Sequence, residues 1–285
     1  MSITMRNKAA TRHHTIQRLL THARYEVLPT PSAQEKVLAH VPLDVGVTVT
    51  ASGAKGLEAT LALAESLAQD GYVTVPHLAA RMISGRSELV EIRARLGAAG
   101  ITRVFVPGGD VDPVGDYPDA FSLLEDLATL ANPFEQVGIT GYPETHPKIT
   151  DDLTVQAMWD KRRHATHVVS NLTFDAHAIK NWVTRMRARG VMMPVLLGMP
   201  GPVDRTKLLA MATKIGVGES TRFLAKHKST FARLAAPGGF TGQRFLEECA
   251  ATAARPDAGI EGLHIFTFNQ IAETEAWRQD LLERL

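Results

Sequence analysis

Val45-Gly46-Val47-Thr48-Val49-Thr50 decides the fold, together with the residues on its carboxyl side. Val45, Val47 and Val49 alternate with the period of a strand. After them come the glycine-bounded turn Gly53–Gly56, the amphipathic run Leu57–Ala68 and the stop Asp70-Gly71. A second β-rich run, Val73–His77, starts at once. Strand, helix, strand with a short return implies two parallel strands, because parallel neighbours need a crossover.

The same unit recurs on both sides. The other predicted strands are Arg24–Leu28, Arg103–Val106, Gln136–Thr140, His167–Leu172, Met193–Leu197 and Leu263–Phe268. Helical patterns fill the gaps from Ser32 and over Ser87–Ala99, Ala120–Ala131, Thr154–Arg163, Ala176–Arg189, Thr206–Ile215 and Ala272–Leu282. Asp175 and Asp204 are placed to cap helices, and Gly71, Gly100 and Gly190 to end them. Eight repeats in a chain of 285 residues predict an α/β fold of the (β/α)8 TIM-barrel type. About 65 residues separate strands seven and eight, more than one helix needs. Gly218–Leu234 and Thr241–Thr252 are therefore expected as extra helices over the top of the barrel, around the turn Ala236-Pro237-Gly238-Gly239. Residues 23–285 form the single barrel domain. Residues 1–22 are a polar, basic extension, the segment expected to be disordered or to bind a partner.

Composition removes several classes. Hydrophobic residues make up 45% and charged residues 21%, enough for a core. Lys and Arg number 31 against 30 acids, a net charge of +1, which gives no reason to expect nucleic-acid or membrane-surface binding. The single cysteine, Cys249, forms neither an internal disulfide nor a zinc cluster, and its apolar neighbours make it a packing residue. Neither a secretory leader nor a membrane span of about 18 apolar residues is present, so a cytoplasmic protein without bound metal is expected.

Catalytic groups in such a barrel belong at the carboxyl ends of the strands. The chemistry-bearing residues there are Glu26, Thr50, His77, Asp110, Tyr142, Glu144, His146, Asn171 and Asn269. Glu26 stands in an otherwise apolar strand, where desolvation would raise its pKa and let it hold a proton near neutrality. The competing reading pairs it with Arg24. Pro107-Gly108-Gly109-Asp110 lets backbone approach a flat or anionic ligand, but makes an ordinary tight turn equally well. His77 is either a ligand contact or a structural hydrogen bonder. Tyr142 through Pro147 is a loop stiffened by two prolines, suited to a preorganised site or to a plain turn. Lys161-Arg162-Arg163 either complements a helix carboxyl end or clamps a phosphate. No dinucleotide fingerprint and no P-loop is present.

Five short stretches on successive strands resemble the catalytic domain of methylenetetrahydrofolate reductases. They are Tyr25-Glu26-Val27-Leu28-Pro29, Pro76-His77-Leu78, Gly109-Asp110, Gly141-Tyr142-Pro143-Glu144-Thr145-His146-Pro147 and Phe266-Thr267-Phe268-Asn269. The resemblance runs from about Tyr25 to Trp277. It implies a flavin-dependent oxidoreductase that interconverts 5,10-methylenetetrahydrofolate and 5-methyltetrahydrofolate, with FAD as cofactor and NADH or NADPH as electron donor. Glu26 then matches the general acid that opens the imidazolidine ring, and Asp110 the aspartate beside flavin and pterin. Thr50, His77, Gly109, Asp110, Tyr117, Tyr142 and His146 match flavin-contacting positions. Lys161 and Arg162 fall near the cations expected at the cofactor phosphates, one residue out of register. Glu26, Asp110, Asn171 and Gln270 match folate contacts. Asn171 replaces the family's usual glutamine, and Gln270 a common arginine. The regulatory domain of eukaryotic members has no counterpart, and a homo-oligomer is the default expectation. Two alternatives stand beside this: direct hydride transfer from nicotinamide to folate without flavin, and a non-catalytic folate- or flavin-binding partner subunit.

Overall fold

The structure, a computed structural model, describes residues 3–130, 134–144, 146, 149–202 and 241–285. Eight strands alternate with helices along the chain. They are β1 (Ala23–Val27), β2 (Gly46–Val49), β3 (Thr74–Pro76), β4 (Arg103–Phe105), β5 (Gln136–Gly141), β6 (His167–Ser170), β7 (Val195–Pro200) and β8 (Ile260–Phe266). The helices among the described residues are α1 (Ile3–Thr21), α2 (Ala33–His40), α3 (Gly56–Gln69), α4 (Arg86–Ala98), α5 (Ala120–Ala128), α6 (Asp151–Lys161), α7 (Ala176–Ala188), α8 (Gly242–Ala253) and α9 (Ile271–Arg284). Every strand pair is parallel, in the order β3-β2-β1-β8-β7-β6-β5-β4. The ring closes between β3 and β4, where His77 bridges Phe105 and the Leu78 N–H donates to the Phe105 carbonyl at 2.8 Å. The predicted (β/α)8 barrel is the observed one.

The local reasons are the expected ones. On α3, Leu57, Thr60, Leu61, Ala64 and Leu67 make one buried stripe against the sheet. The Asp175 carboxylate accepts from the His177 and Ala178 N–H groups and caps α7, as its position predicted. Gly71 and Gly190 follow helix ends in the left-handed region, at φ of 92° and 76°.

Three differences affect the site. β6 stops at Ser170 and not Leu172, where the Asn171 side chain accepts from the Leu172 N–H in place of a strand partner. β7 begins later and runs on to Pro200, since Gly198, Met199 and Pro200 pair with His264, Ile265 and Phe266 of β8. The helix expected over Thr241–Thr252 does not cover the mouth. As α8 it buries Phe245, Leu246, Cys249, Ala250 and Ala253, and packs against α7 and α1 in the outer ring. An apolar stripe of that width is satisfied against neighbouring helices, not over an open mouth. Cys249 is buried there, and burial pushes its thiol pKa up, as suits a packing residue. The predicted cap Asp204, the helices Thr206–Ile215 and Gly218–Leu234, and the turn at 236–239 lie outside the described residues.

The segment expected as a polar extension contains α1, whose last turns join the core through Ile16, Leu19 and Leu20. Arg18 fixes it, donating to the carbonyls of Ile260, Glu261 and Ala253 at 2.9, 3.1 and 3.1 Å. No described helix is long and apolar enough to cross a membrane.

Candidate active site

Side chains alternate sides along a strand, and β1 shows the consequence. Tyr25 and Val27 face the helices. Arg24 and Glu26 face the barrel interior, where aliphatic layers usually pack. Glycines make the room: a Cβ on Gly138 would stand 2.8 Å from the His167 ring.

Arg24 crosses the floor of the barrel. It donates to the Gln136 side-chain oxygen of β5 at 2.6 Å and meets His167 Nε2 of β6 at 3.3 Å. It is therefore not the partner of Glu26. Burial, with Arg24 and other cationic neighbours, pushes the His167 pKa down to about 3. His167 is then neutral, accepting at Nε2 and donating from Nδ1 to the Thr166 hydroxyl at 2.9 Å. Above this floor Val75, Phe105, Val169 and Leu196 form a small apolar layer.

Glu26 sits above that layer. Its Oε2 lies 2.9 Å from His264 Nε2 of β8 and 3.8 Å from His77 Nε2 at the tip of β3. The Glu26 side chain keeps 16% of its exposure, against 2% for His264. Glu26, expected to be desolvated within an apolar strand, is flanked by two imidazoles, because the inward residues next to it at the β3 tip and on β8 are histidines. His77 packs on Phe105 with ring centroids 4.6 Å apart. Burial pushes its pKa down to about 4, against the pull of Glu26, so His77 is neutral at pH 7.

Three buried polar atoms near Glu26 have no hydrogen-bond partner among the described residues: Thr48 Oγ1, Thr50 Oγ1 and His77 Nε2. Thr48 is the register neighbour of Glu26, and Thr50 follows on the same side of β2. Buried polar atoms are costly unless something satisfies them. They group beside a carboxyl group at the barrel mouth.

The β4 and β5 tips add a second group. Gly109 holds φ at 93°, and the Ala80 and Arg81 N–H groups donate to the Pro107 and Gly108 carbonyls, fixing the loop. Asp110 projects exposed from it. Burial and then the Asp110 charge raise the Tyr142 pKa. Tyr142 meets His146 edge to face at 4.8 Å. Glu144 is structural: it accepts from the Phe174 and Asp175 N–H groups and anchors the β6 tip. Asn171 and Gln270 are half-buried at the tips of β6 and β8. Asn269, at φ of 57°, accepts from the Leu28 N–H and donates to the Leu28 carbonyl and the Thr30 hydroxyl, clamping the tips of β1 and β8 together.

Other expected contacts are engaged by neighbouring residues. The Tyr117 hydroxyl donates to Asp126 at 2.7 Å. Lys161 and Arg162 end α6, and Lys161 feels the charge of Asp119, the N-cap of α5. The Lys161 pKa is lowered by burial, and the Arg162 guanidinium lies 3.4 Å over the Trp159 ring. Arg162 also donates to the Trp159 carbonyl of its own helix end at 2.6 Å. His264 was missed in the sequence, although a lone imidazole within Leu263-His264-Ile265-Phe266 has the same inward parity that singled out Glu26.

A family model described as methylenetetrahydrofolate reductase matches residues 31–279. Among solved structures, an uncharacterized protein from Clostridium thermocellum that binds two copies of 5-methyl-5,6,7,8-tetrahydrofolic acid is 14% identical with a TM-score of 0.60, over 96% of this chain and 100% of that one. At that identity the likeness is one of fold. A Burkholderia cenocepacia J2315 protein described as a lyase/mutase has a TM-score of 0.48 at 15% identity, covering 96% of this chain and 86% of that one. A Toxoplasma gondii ME49 protein described as a deoxyribose-phosphate aldolase in its apo form has the same score at 11%, covering 96% and 99%.

Proposed function

The chain belongs to the methylenetetrahydrofolate reductase family, and on that premise we propose that it interconverts 5,10-methylenetetrahydrofolate and 5-methyltetrahydrofolate at the barrel mouth, with NADH or NADPH as electron donor. The observation that carries the proposal is the inward Glu26 carboxyl group, bound at one oxygen and still reaching the mouth. In the reducing direction Glu26 gives its proton to the ring nitrogen that leaves the methylene carbon. The carbon–nitrogen bond breaks toward that nitrogen, and the iminium left at the other nitrogen accepts a hydride at carbon. General-acid help of this kind is worth roughly 10²–10⁴-fold. Neutral His77 adds no positive charge beside the developing iminium. Asp110, exposed at the rim, is the anion that would balance charge on the bound rings.

A bound FAD would supply the hydride carrier between nicotinamide and folate. The inner half of the expected contact set supports it: Thr50 Oγ1 and His77 Nε2 lack partners, and Gly109, Tyr142 and His146 line the adjacent rim. These residues would hold the ring system. The outer half fits poorly, because Tyr117 is engaged by Asp126, and Arg162 by the Trp159 carbonyl and ring. That mismatch favours a second reading, direct hydride transfer from nicotinamide to folate without a flavin.

An absorption spectrum of the purified protein, before and after anaerobic NADH, NADPH or methyltetrahydrofolate, tests both. Flavin bands that bleach support the first reading and name the donor. A colourless protein that still reduces methylenetetrahydrofolate with a nicotinamide supports the second. No turnover under either condition overturns the enzymatic proposal.

A further inference from the structure

We infer that His264 is a positioning residue for Glu26: its Nε2–H holds Oε2, so that Oε1 is the oxygen that carries and delivers the proton. The inference rests on the reading of Glu26 as the acid. Both neighbouring imidazoles approach the same oxygen, His264 at 2.9 Å and His77 at 3.8 Å. Oε1 has no hydrogen-bond partner among the described residues. A carboxyl group acts as a directed acid only when its two oxygens are made different, and here one is held and the other is open.

His264 is built to do this. Its register partner on β1 is Arg24, so it starts one inward position below Glu26 and reaches up to it. Its ring lies between two aromatic rings, 6.5 Å from Phe105 and 4.9 Å from Phe266. With 2% of its side-chain surface exposed, the ring has little freedom to turn away. A neutral imidazole has one N–H. Placing it on Nε2 leaves Oε2 as acceptor and excludes that oxygen as the site of the acidic proton.

The test pairs two variants with a spectroscopic measurement. His264→Phe keeps the ring volume and removes the donor. It should lower kcat for methylenetetrahydrofolate reduction about 10²-fold and change KM less than about threefold, because only the proton-transfer step loses an oriented acid. His264→Gln supplies a new donor and should recover most of the loss. Nitrogen-15 NMR of the wild type should show His264 protonated at Nε2, with that resonance displaced in Glu26→Gln. A folded His264→Phe with wild-type kcat overturns the inference, as does a His264→Gln no better than His264→Phe, or a His264 protonated at Nδ1 alone. If His264→Phe does not fold, the glutamine variant and the NMR tautomer decide in the same way. An inactive wild type removes the acid reading and this inference with it. An active wild type indifferent to His264 removes this inference alone.

Discussion

The Tyr25 hydroxyl donates to the Glu275 carboxylate across the seam between β1 and α9. Arg278 closes the group, donating from Nε and Nη2 to the two Glu275 oxygens at 2.9 Å each. Tyr25, Glu275 and Arg278 are all buried. Removing the charge from one partner strands the other in a dry place. Glu275→Gln should cost about 3–5 kcal/mol in chemical denaturation, and Tyr25→Phe about 1 kcal/mol, the worth of one hydrogen bond. Equal costs would show that the seam does not depend on the ion pair.

Burial alone would raise the Glu275 pKa, but the hydrogen bonds from Arg278, Tyr25 and Gln279 outweigh it and leave the value lowered. Its contribution to stability is present above the unfolded carboxyl pKa and is lost as pH falls through the folded one.

Glu26→Gln is expected to fold as the wild type does and to bind folate, while losing turnover by roughly 10²–10⁴-fold. The glutamine still accepts from His264 but has no proton to give. Steady-state kinetics with a matched binding measurement checks this, and near-wild-type turnover would remove Glu26 from its role.

Two buried histidines predict the acid limb of stability. Burial lowers the folded pKa of His77 to about 4 and of His167 to about 3, from 6.5. Above pH 6.5 both are neutral whether folded or unfolded, so nothing is lost. Below it the unfolded chain takes up protons that the folded one refuses, and stability falls until the folded pKa is reached. His77 alone should contribute a loss on the order of 3 kcal/mol by pH 4. Urea titrations at pH 7, 5.5 and 4.5 should show the decline, and His77→Gln should flatten it. A profile identical in the variant would refute the assignment.

Asn269→Ala should destabilise the protein by about 2–3 kcal/mol, since it loses three hydrogen bonds and puts a Cβ-bearing residue with no polar side chain at positive φ. Asn269→Gly relieves only the backbone part. If the two variants melt together, the bonds to Leu28 and Thr30 carry the effect; if glycine restores the wild-type melting temperature, the backbone does.

The barrel was legible because each strand–helix unit declares itself locally. Val45, Val47 and Val49 mark a strand whatever lies elsewhere, and Asp175 marks a helix start. The inward parity of Glu26 was legible for the same reason. Its surroundings were not, since they depend on which residues of β3 and β8 come level with it, and that is set by barrel register. Hence His77 was named at a strand tip but not as a neighbour of Glu26, and His264 was missed. Lys161 and Arg162 share a motif but not their surroundings: Arg162 is taken up by the Trp159 ring and carbonyl of its own helix end, whereas Lys161 is within reach of the Asp119 charge on α5, a difference no local spacing shows. The α1 stripe was hidden because Ile16, Leu19 and Leu20 lie among polar neighbours and reveal themselves only against β8 and α8.

The contact between Glu26 and His264 spans 238 residues of chain. The acid emerges early in synthesis and the group that orients it emerges near the end, so a growing chain can hold most of a barrel and yet no aligned proton donor. Local units form first and long-range pairings last. An unfinished or clipped chain that loses β8 is then chemically silent even if it stays folded, and competence for the reaction becomes a certificate that synthesis has run through the last strand.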